Sequence, residues 1–98
     1  MTAPPRVLLG GTFDPVHFGH LRVADDVRAA LAVAQVTLVP AADPPHRPPP
    51  GAPARDRVAM LELAVAGFPG LAVDAREIRR GGKSFTVDTL CDLRRESP

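Results

Sequence analysis

The sequence predicts an α/β fold built on an open parallel sheet, and three observations predict it. A short apolar run, Val7-Leu8-Leu9, halts at Gly10-Gly11. Apolar residues then recur at helical spacing, through Leu21, Ala24, Val27 or Arg28, and Leu31. A β-branched run at Gln35–Val39 follows, closed by Pro40. Strand, helix and strand within about 35 residues make a βαβ unit, whose two strands lie parallel.

The first strand is read at Arg6–Leu9, where an uninterrupted apolar run suits a strand buried on both faces. The helix starts between Asp14 and His20, with Arg22, Asp25 and Asp26 off its apolar stripe. From Pro40 to Pro53 the chain carries seven prolines. Proline lacks an N–H and fixes φ, so this stretch is neither helix nor inner strand. On composition alone it reads equally as a stiff linker or as a loop. A second helix is expected at Arg55–Ala66, with Val58, Met60, Leu61 and Val65 on or near one face and Gly67 as its C-cap. Leu71–Val73 reads as a weak third strand, and Gly81-Gly82 as a turn. A last helix runs from about Thr86 to Arg95, with Val87, Leu90, Cys91 and Arg94 on one side. Alternating strands and helices in one short chain argue for a single sheet domain over residues 1–98.

Composition narrows the function classes. The 98 residues are 45% hydrophobic and 23% charged, which suits a globular core. A net charge of +1 gives no basic excess for unspecific nucleic-acid binding, so no nucleic-acid partner is expected. Eleven of the twelve basic residues are arginine, a side chain suited to phosphate. One cysteine, Cys91, makes no internal disulfide, and the amino terminus has no signal-peptide core; a cytoplasmic protein is expected. No apolar run approaches the ~20 residues of a membrane span.

The chemistry concentrates in Gly10-Gly11-Thr12-Phe13-Asp14-Pro15-Val16-His17-Phe18-Gly19-His20, where the first strand passes into a helix. Open α/β sheets bind ligands at the carboxyl ends of their strands. Glycines there let a ligand reach backbone N–H groups, and a helix N-terminus adds partial positive charge, so phosphate is the expected guest. Thr12 offers a hydroxyl. His17 and His20, three apart, share one face of the first helical turn and can donate to oxygens that gain charge during phosphoryl or nucleotidyl transfer. A zinc reading through His17, His20 and Cys91 is weaker, because two histidines three apart supply too few ligands, so no protein-bound metal is expected.

The run Gly-Gly-Thr-Phe-Asp-Pro-Val-His-x-Gly-His-Leu resembles the signature of the bacterial nicotinate mononucleotide adenylyltransferases, members of the nucleotidyltransferase superfamily with a His-x-Gly-His motif. Pro44-Pro45-His46-Arg47, Arg57 with Met60-Leu61-x-Leu63-Ala64, Asp74-x-Arg76-Glu77-x-x-Arg80 and Ser84-Phe85-Thr86-x-x-Thr89-Leu90 resemble further family segments in order, so the likeness runs from Val7 to Leu93. It implies a Rossmann-like nucleotidyltransferase fold and transfer of AMP from ATP to nicotinate mononucleotide, with Mg²⁺ carried by the ATP. It places Gly10, Gly11, Thr12, Phe13, His17, His20, His46 and Arg47 at the phosphates, with His17 and His20 catalytic. It puts Phe85 and Thr86 at the nicotinate nucleotide and makes residues 40–53 a substrate loop. Ala41 and Ala42 stand where the family often has an asparagine, and the family's Gly-x-Asp and Ser/Thr-rich ATP segments are not found. The resemblance therefore implies the N-terminal half of such a domain, with about three strands. The first strand would then be left as a sheet edge prone to self-association. A non-catalytic nucleotide-binding remnant and a transferase with another acceptor, such as pantetheine phosphate, are the alternatives.

Overall fold

The computed structural model describes residues 6–42, 51–82 and 85–96. Its elements run β1 (Val7–Gly11), α1 (Phe18–Ala30), β2 (Val36–Pro40), α2 (Ala54–Val65), β3 (Leu71–Val73), α3 (Arg76–Arg80) and α4 (Thr86–Glu96). The three strands form one parallel sheet in the order β1-β2-β3. Val7 lies opposite Val36 and Gly11 opposite Pro40, while Val36 and Leu38 face Leu71 and Val73. The α/β class and parallel sheet expected from the alternation are thus present.

Burial follows the strand order rather than the apolar runs. Central β2 buries Val36, Leu38, Val39 and Pro40, whereas Val7, Leu8 and Leu9 of β1 are only half-buried. The expectation that β1 is buried on both faces is corrected, because the helices pack chiefly over β2 and β3 and cover β1 little. The strand also continues through Gly10 and Gly11, past the end of its apolar residues; the Ala41 N–H donates to the Gly11 carbonyl at 2.8 Å. Pro40 is tolerated in the middle strand because β3 ends opposite Leu38, leaving no ladder bond for Pro40 to supply on that side. The core joins Phe13, Leu21, Ala24, Val36, Leu38, Leu61 and Leu71, with Phe68 and Val65 packed against it.

Helix α1 buries Leu21 and Ala24, as the stripe predicted. Leu31, expected on that stripe, is 58% exposed because it is the C-cap, where the chain turns away. The Ala32 N–H donates to Ala29 and the Val33 N–H to Arg28, a Schellman closure with Ala32 in the left-handed region at φ 53°. Helix α2 stops at Val65, and its C-cap is Ala66, with right-handed geometry, one residue before the expected Gly67. Gly81 and Gly82 do adopt positive φ, as their turn requires.

Two features of the carboxyl-terminal part differ from expectation. Helix α3 has no counterpart in the sequence reading, because Arg76–Arg80 has almost no apolar residues to show a period; Asp74, just before its N-cap Ala75, accepts from the Arg76 N–H at 3.0 Å. Helix α4 forms where its spacing predicts, with Val87, Leu90, Cys91 and Arg94 on one side, but the residues it buries are Thr89 and Leu93. Val87 is 63% and Leu90 52% exposed, and Cys91 is exposed. Polar anchors set the helix's rotation: Arg76 donates to Glu96 at 2.6 and 3.1 Å, Arg80 to Asp92 at 3.2 Å, and the Thr89 hydroxyl to Glu77. The apolar side instead lines a shallow groove with Arg6 and Leu8.

Candidate active site

The turn from β1 into α1 is built from the core outward. The Phe13 ring is 3% exposed and packs into the core, with φ of 52° at its Cα. A Cβ on Gly11 would meet that ring at 3.2 Å, so glycine lets the ring fold back over the strand end. Of Phe13, expected at the phosphates, only the backbone is therefore left to face a ligand. Asp14 and Pro15 form the predicted turn, joined by a cis peptide.

His17 is the N-cap of α1, in extended conformation, and its carbonyl accepts from the His20 N–H at 3.0 Å. In return the His17 backbone N–H donates to His20 Nδ1 at 3.0 Å. The two imidazoles stack with centroids 3.8 Å apart and planes 22° from parallel, and Phe13 meets His20 edge-on at 5.0 Å. The two histidines are thus brought together as expected. Gly19 sits between the two histidines and against the His17 ring. A Cβ there would lie 2.8 Å from His17 Cε1, so glycine makes room for the His17 ring. Burial, and then the neighbouring His17, lower the His20 pKa below its ordinary 6.5. Accepting at Nδ1 leaves neutral His20 with its proton on Nε2. The pair can therefore offer an imidazole N–H donor beside the positive end of a helix dipole.

Behind this turn lies a residue whose site role the sequence reading missed. Arg57 of α2 is 1% exposed. Its Nη1 donates to the carbonyls of Thr12 at 2.9 Å and Ala41 at 2.7 Å, its Nη2 to Ala42 at 3.2 Å and its Nε to Ala52 at 3.2 Å. Asp14 accepts from the N–H groups of Gly51 at 2.6 Å and Ala52 at 3.1 Å. An arginine in a mostly apolar helical pattern reads as solvent-facing. A glycine turn and two alanine- and proline-rich stretches give no hint that their carbonyls converge.

The remaining expected residues are distributed as follows. Gly10 and Gly11 end β1, and Thr12 is half-buried beside them. His46 and Arg47 lie outside the described residues. Phe85 and Thr86 are exposed at the start of α4, and among the described residues no hydrogen bond, ion pair or ring contact joins them to the histidine turn. Among the described residues no group of three His, Cys, Asp or Glu side chains is arranged to hold a metal, and no helix is long and apolar enough to cross a membrane.

The model of the cytidylyltransferase-like family matches residues 8–96. The chain belongs to that family. Among its cytidylyltransferase-like relatives, a protein of Acidithiobacillus ferrooxidans named probable nicotinate-nucleotide adenylyltransferase is 55% identical over 92 residues, which are 94% of this chain and 42% of the relative. Proteins of the same name from Laribacter hongkongensis and Aeromonas hydrophila are 56% and 51% identical, over 99% and 100% of this chain and 46% of each relative. The chain spans about half the length of the curated relatives it matches. Membership agrees with the motif resemblance and with the parallel sheet that carries the histidine turn.

Proposed function

We propose that this chain carries the phosphate-binding portion of a cytoplasmic adenylyltransferase that moves AMP from ATP onto nicotinate mononucleotide, in NAD synthesis. The observation that carries the reading is the stacked His17–His20 pair at the carboxyl end of β1, on a glycine turn that opens a helix. The names of the relatives support the choice of acceptor.

In the proposed reaction a phosphate oxygen of nicotinate mononucleotide attacks the α-phosphorus of ATP. A new P–O bond forms, the α–β bridging P–O bond breaks, and pyrophosphate leaves with its electron pair. Mg²⁺ arrives as part of the MgATP substrate and offsets phosphate charge. The protein needs no nucleophile; its part is to place donors where charge accumulates. His20, with Nδ1 engaged by the His17 amide, donates from Nε2 to a phosphate oxygen, and the stacked His17 lies beside it. Backbone N–H groups of Gly11 to Phe13 line the same turn. From the 40–53 segment, Arg47 adds positive charge and His46 an imidazole to the phosphates. Thr86, at the start of α4, offers its hydroxyl and a helix N-terminus to the nicotinate carboxylate.

The test is pyrophosphate release from MgATP and nicotinate mononucleotide. It is run on this chain and on a chimera in which the chain replaces the matching segment of the Acidithiobacillus ferrooxidans relative. The chimera is expected to turn over and to prefer nicotinate over nicotinamide mononucleotide. A folded chimera that releases no pyrophosphate refutes the reading.

A further inference from the structure

We propose that Arg57 and Asp14 are positioning residues, which clasp both ends of the 40–53 segment onto the β1–α1 turn and aim a backbone donor of that turn at a phosphate-bearing ligand. The ligand class rests on the adenylyltransferase reading; the clasp rests on the structure alone.

Burying a guanidinium is costly, and a leucine or methionine would fill the same space in α2 without that cost. Arg57 is nonetheless the largest of the fully buried side chains. What the guanidinium supplies is a rigid fork of donors, a geometry that no apolar side chain offers and that lysine lacks. The fork serves three stretches of chain at once: Thr12 in the turn, Ala41 and Ala42 where the 40–53 segment leaves β2, and Ala52 where it approaches α2. Asp14 closes the ring from the other side, accepting from Gly51 and Ala52. Each end of the segment is thus tied to the turn, and the second end is tied twice.

The bond to Thr12 also orients the turn. A trans peptide points its C=O and N–H in opposite directions. The Thr12–Phe13 peptide is trans, so fixing the Thr12 carbonyl on Arg57 turns the Phe13 N–H away from the buried side. Phe13 itself sits in the left-handed region at φ 52°, where the chain turns sharply after the strand end. Arg57 therefore acts on a ligand through the Phe13 amide, which it aims without touching the ligand itself.

The experiment uses the ¹⁵N-labelled chain, with inorganic pyrophosphate as the probe, and compares it with Arg57→Lys, Arg57→Met and Asp14→Asn. Pyrophosphate is expected to shift the Thr12, Phe13 and His20 amide signals of the unmodified chain. Arg57→Lys, a point charge without the fork, should retain the fold but weaken pyrophosphate binding at least about ten-fold, the worth of one charge-assisted hydrogen bond. Asp14→Asn, on the exposed side of the clasp, should weaken it several-fold and shift the Gly51 and Ala52 amides without ligand. If the arginine variants do not fold, Asp14→Asn decides. Folded variants that only melt earlier, with unchanged pyrophosphate affinity, would show a purely structural role and overturn the proposal. An unmodified chain indifferent to pyrophosphate overturns both the phosphate reading and this one. Pyrophosphate binding lost in the variants, together with an inactive chimera, overturns the adenylyltransferase reading while the clasp stands.

Discussion

At the scale of single residues, the His17–His20 pair carries a protonation state as well as a position. Protonating His20 Nδ1 would turn an acceptor into a donor facing the His17 N–H, so folding and the stacked neighbour both favour the neutral ring. Because its pKa is lowered in the folded chain, the unfolded chain takes up the proton first. Stability from this group is therefore full above about 6.5, the ordinary histidine value. It is lost as pH falls through the lower folded value. Imidazole NMR should show His20 titrating below 6.5, with added pyrophosphate moving it upward; titration at or above 6.5 in the unliganded chain would contradict the geometry. In the chimera, His17→Ala and His20→Ala should each lower turnover ~10²–10³-fold with circular dichroism unchanged. Ala32 offers a stability test away from the site. A Cβ in the left-handed region costs about 1 kcal/mol, so Ala32→Gly should raise the melting temperature by about 4–8 °C. The histidines were legible because three-residue spacing survives folding intact. Arg57 was recognised only as part of a motif, since its role depends on carbonyls 16 and 45 positions away in sequence.

At the scale of elements, strand and helix order was legible where apolar periodicity was strong, and illegible where charges hold an element in place. Helix α4 shows the second case. Its apolar side stays largely exposed, because Arg76 and Arg80 donate to Glu96 and Asp92 and the Thr89 hydroxyl donates to Glu77, and these bonds fix its rotation. Periodicity reports which face would prefer burial and is silent about which face meets an ionic partner. The Glu96 carboxyl, hydrogen-bonded to Arg76, lies below the usual glutamate range, and this attachment is present above the ordinary glutamate value of about 4.5. It weakens as pH falls through the lowered folded value. Salt acts the same way, because the Debye length shrinks to ~3 Å at 1 M. Backbone carbon shifts of residues 86–96 should therefore move toward coil values in acid or 1 M salt while those of β2 stay fixed. Equal changes in both elements would mean that α4 is held by packing and not by charge.

At the scale of the whole molecule, the sheet order decides how the chain behaves in solution. Among the described strands β1 pairs on one side only, and the groove beside it gathers Leu8, Val87, Leu90 and Leu93 between Arg6 and Arg94. An open strand edge next to apolar side chains recruits another chain. Light scattering on the purified chain should show a particle size that grows with concentration, and Leu8→Lys should reduce it by placing a charge in the groove. A monomer at all concentrations would refute this expectation. The parallel architecture was legible from the alternation of elements, and the open edge at β1 from the family resemblance. Composition alone gave no sign of it, because Val7-Leu8-Leu9 is as apolar as a central strand while the pairing order puts β2 in that place.

The reach of Arg57 from α2 into the β1 turn has a thermodynamic consequence. Any opening of α2 that withdraws the guanidinium also dismantles the turn, so a ligand on the turn must be released before α2 can open. Mass action then links the two: deuterium uptake at the Leu61 amide, in a helix that need not touch the ligand, should slow by the factor 1 + [L]/Kd, about 100-fold at a hundred times Kd. Uptake at Leu61 that ignores bound pyrophosphate would show that α2 opens independently of the turn.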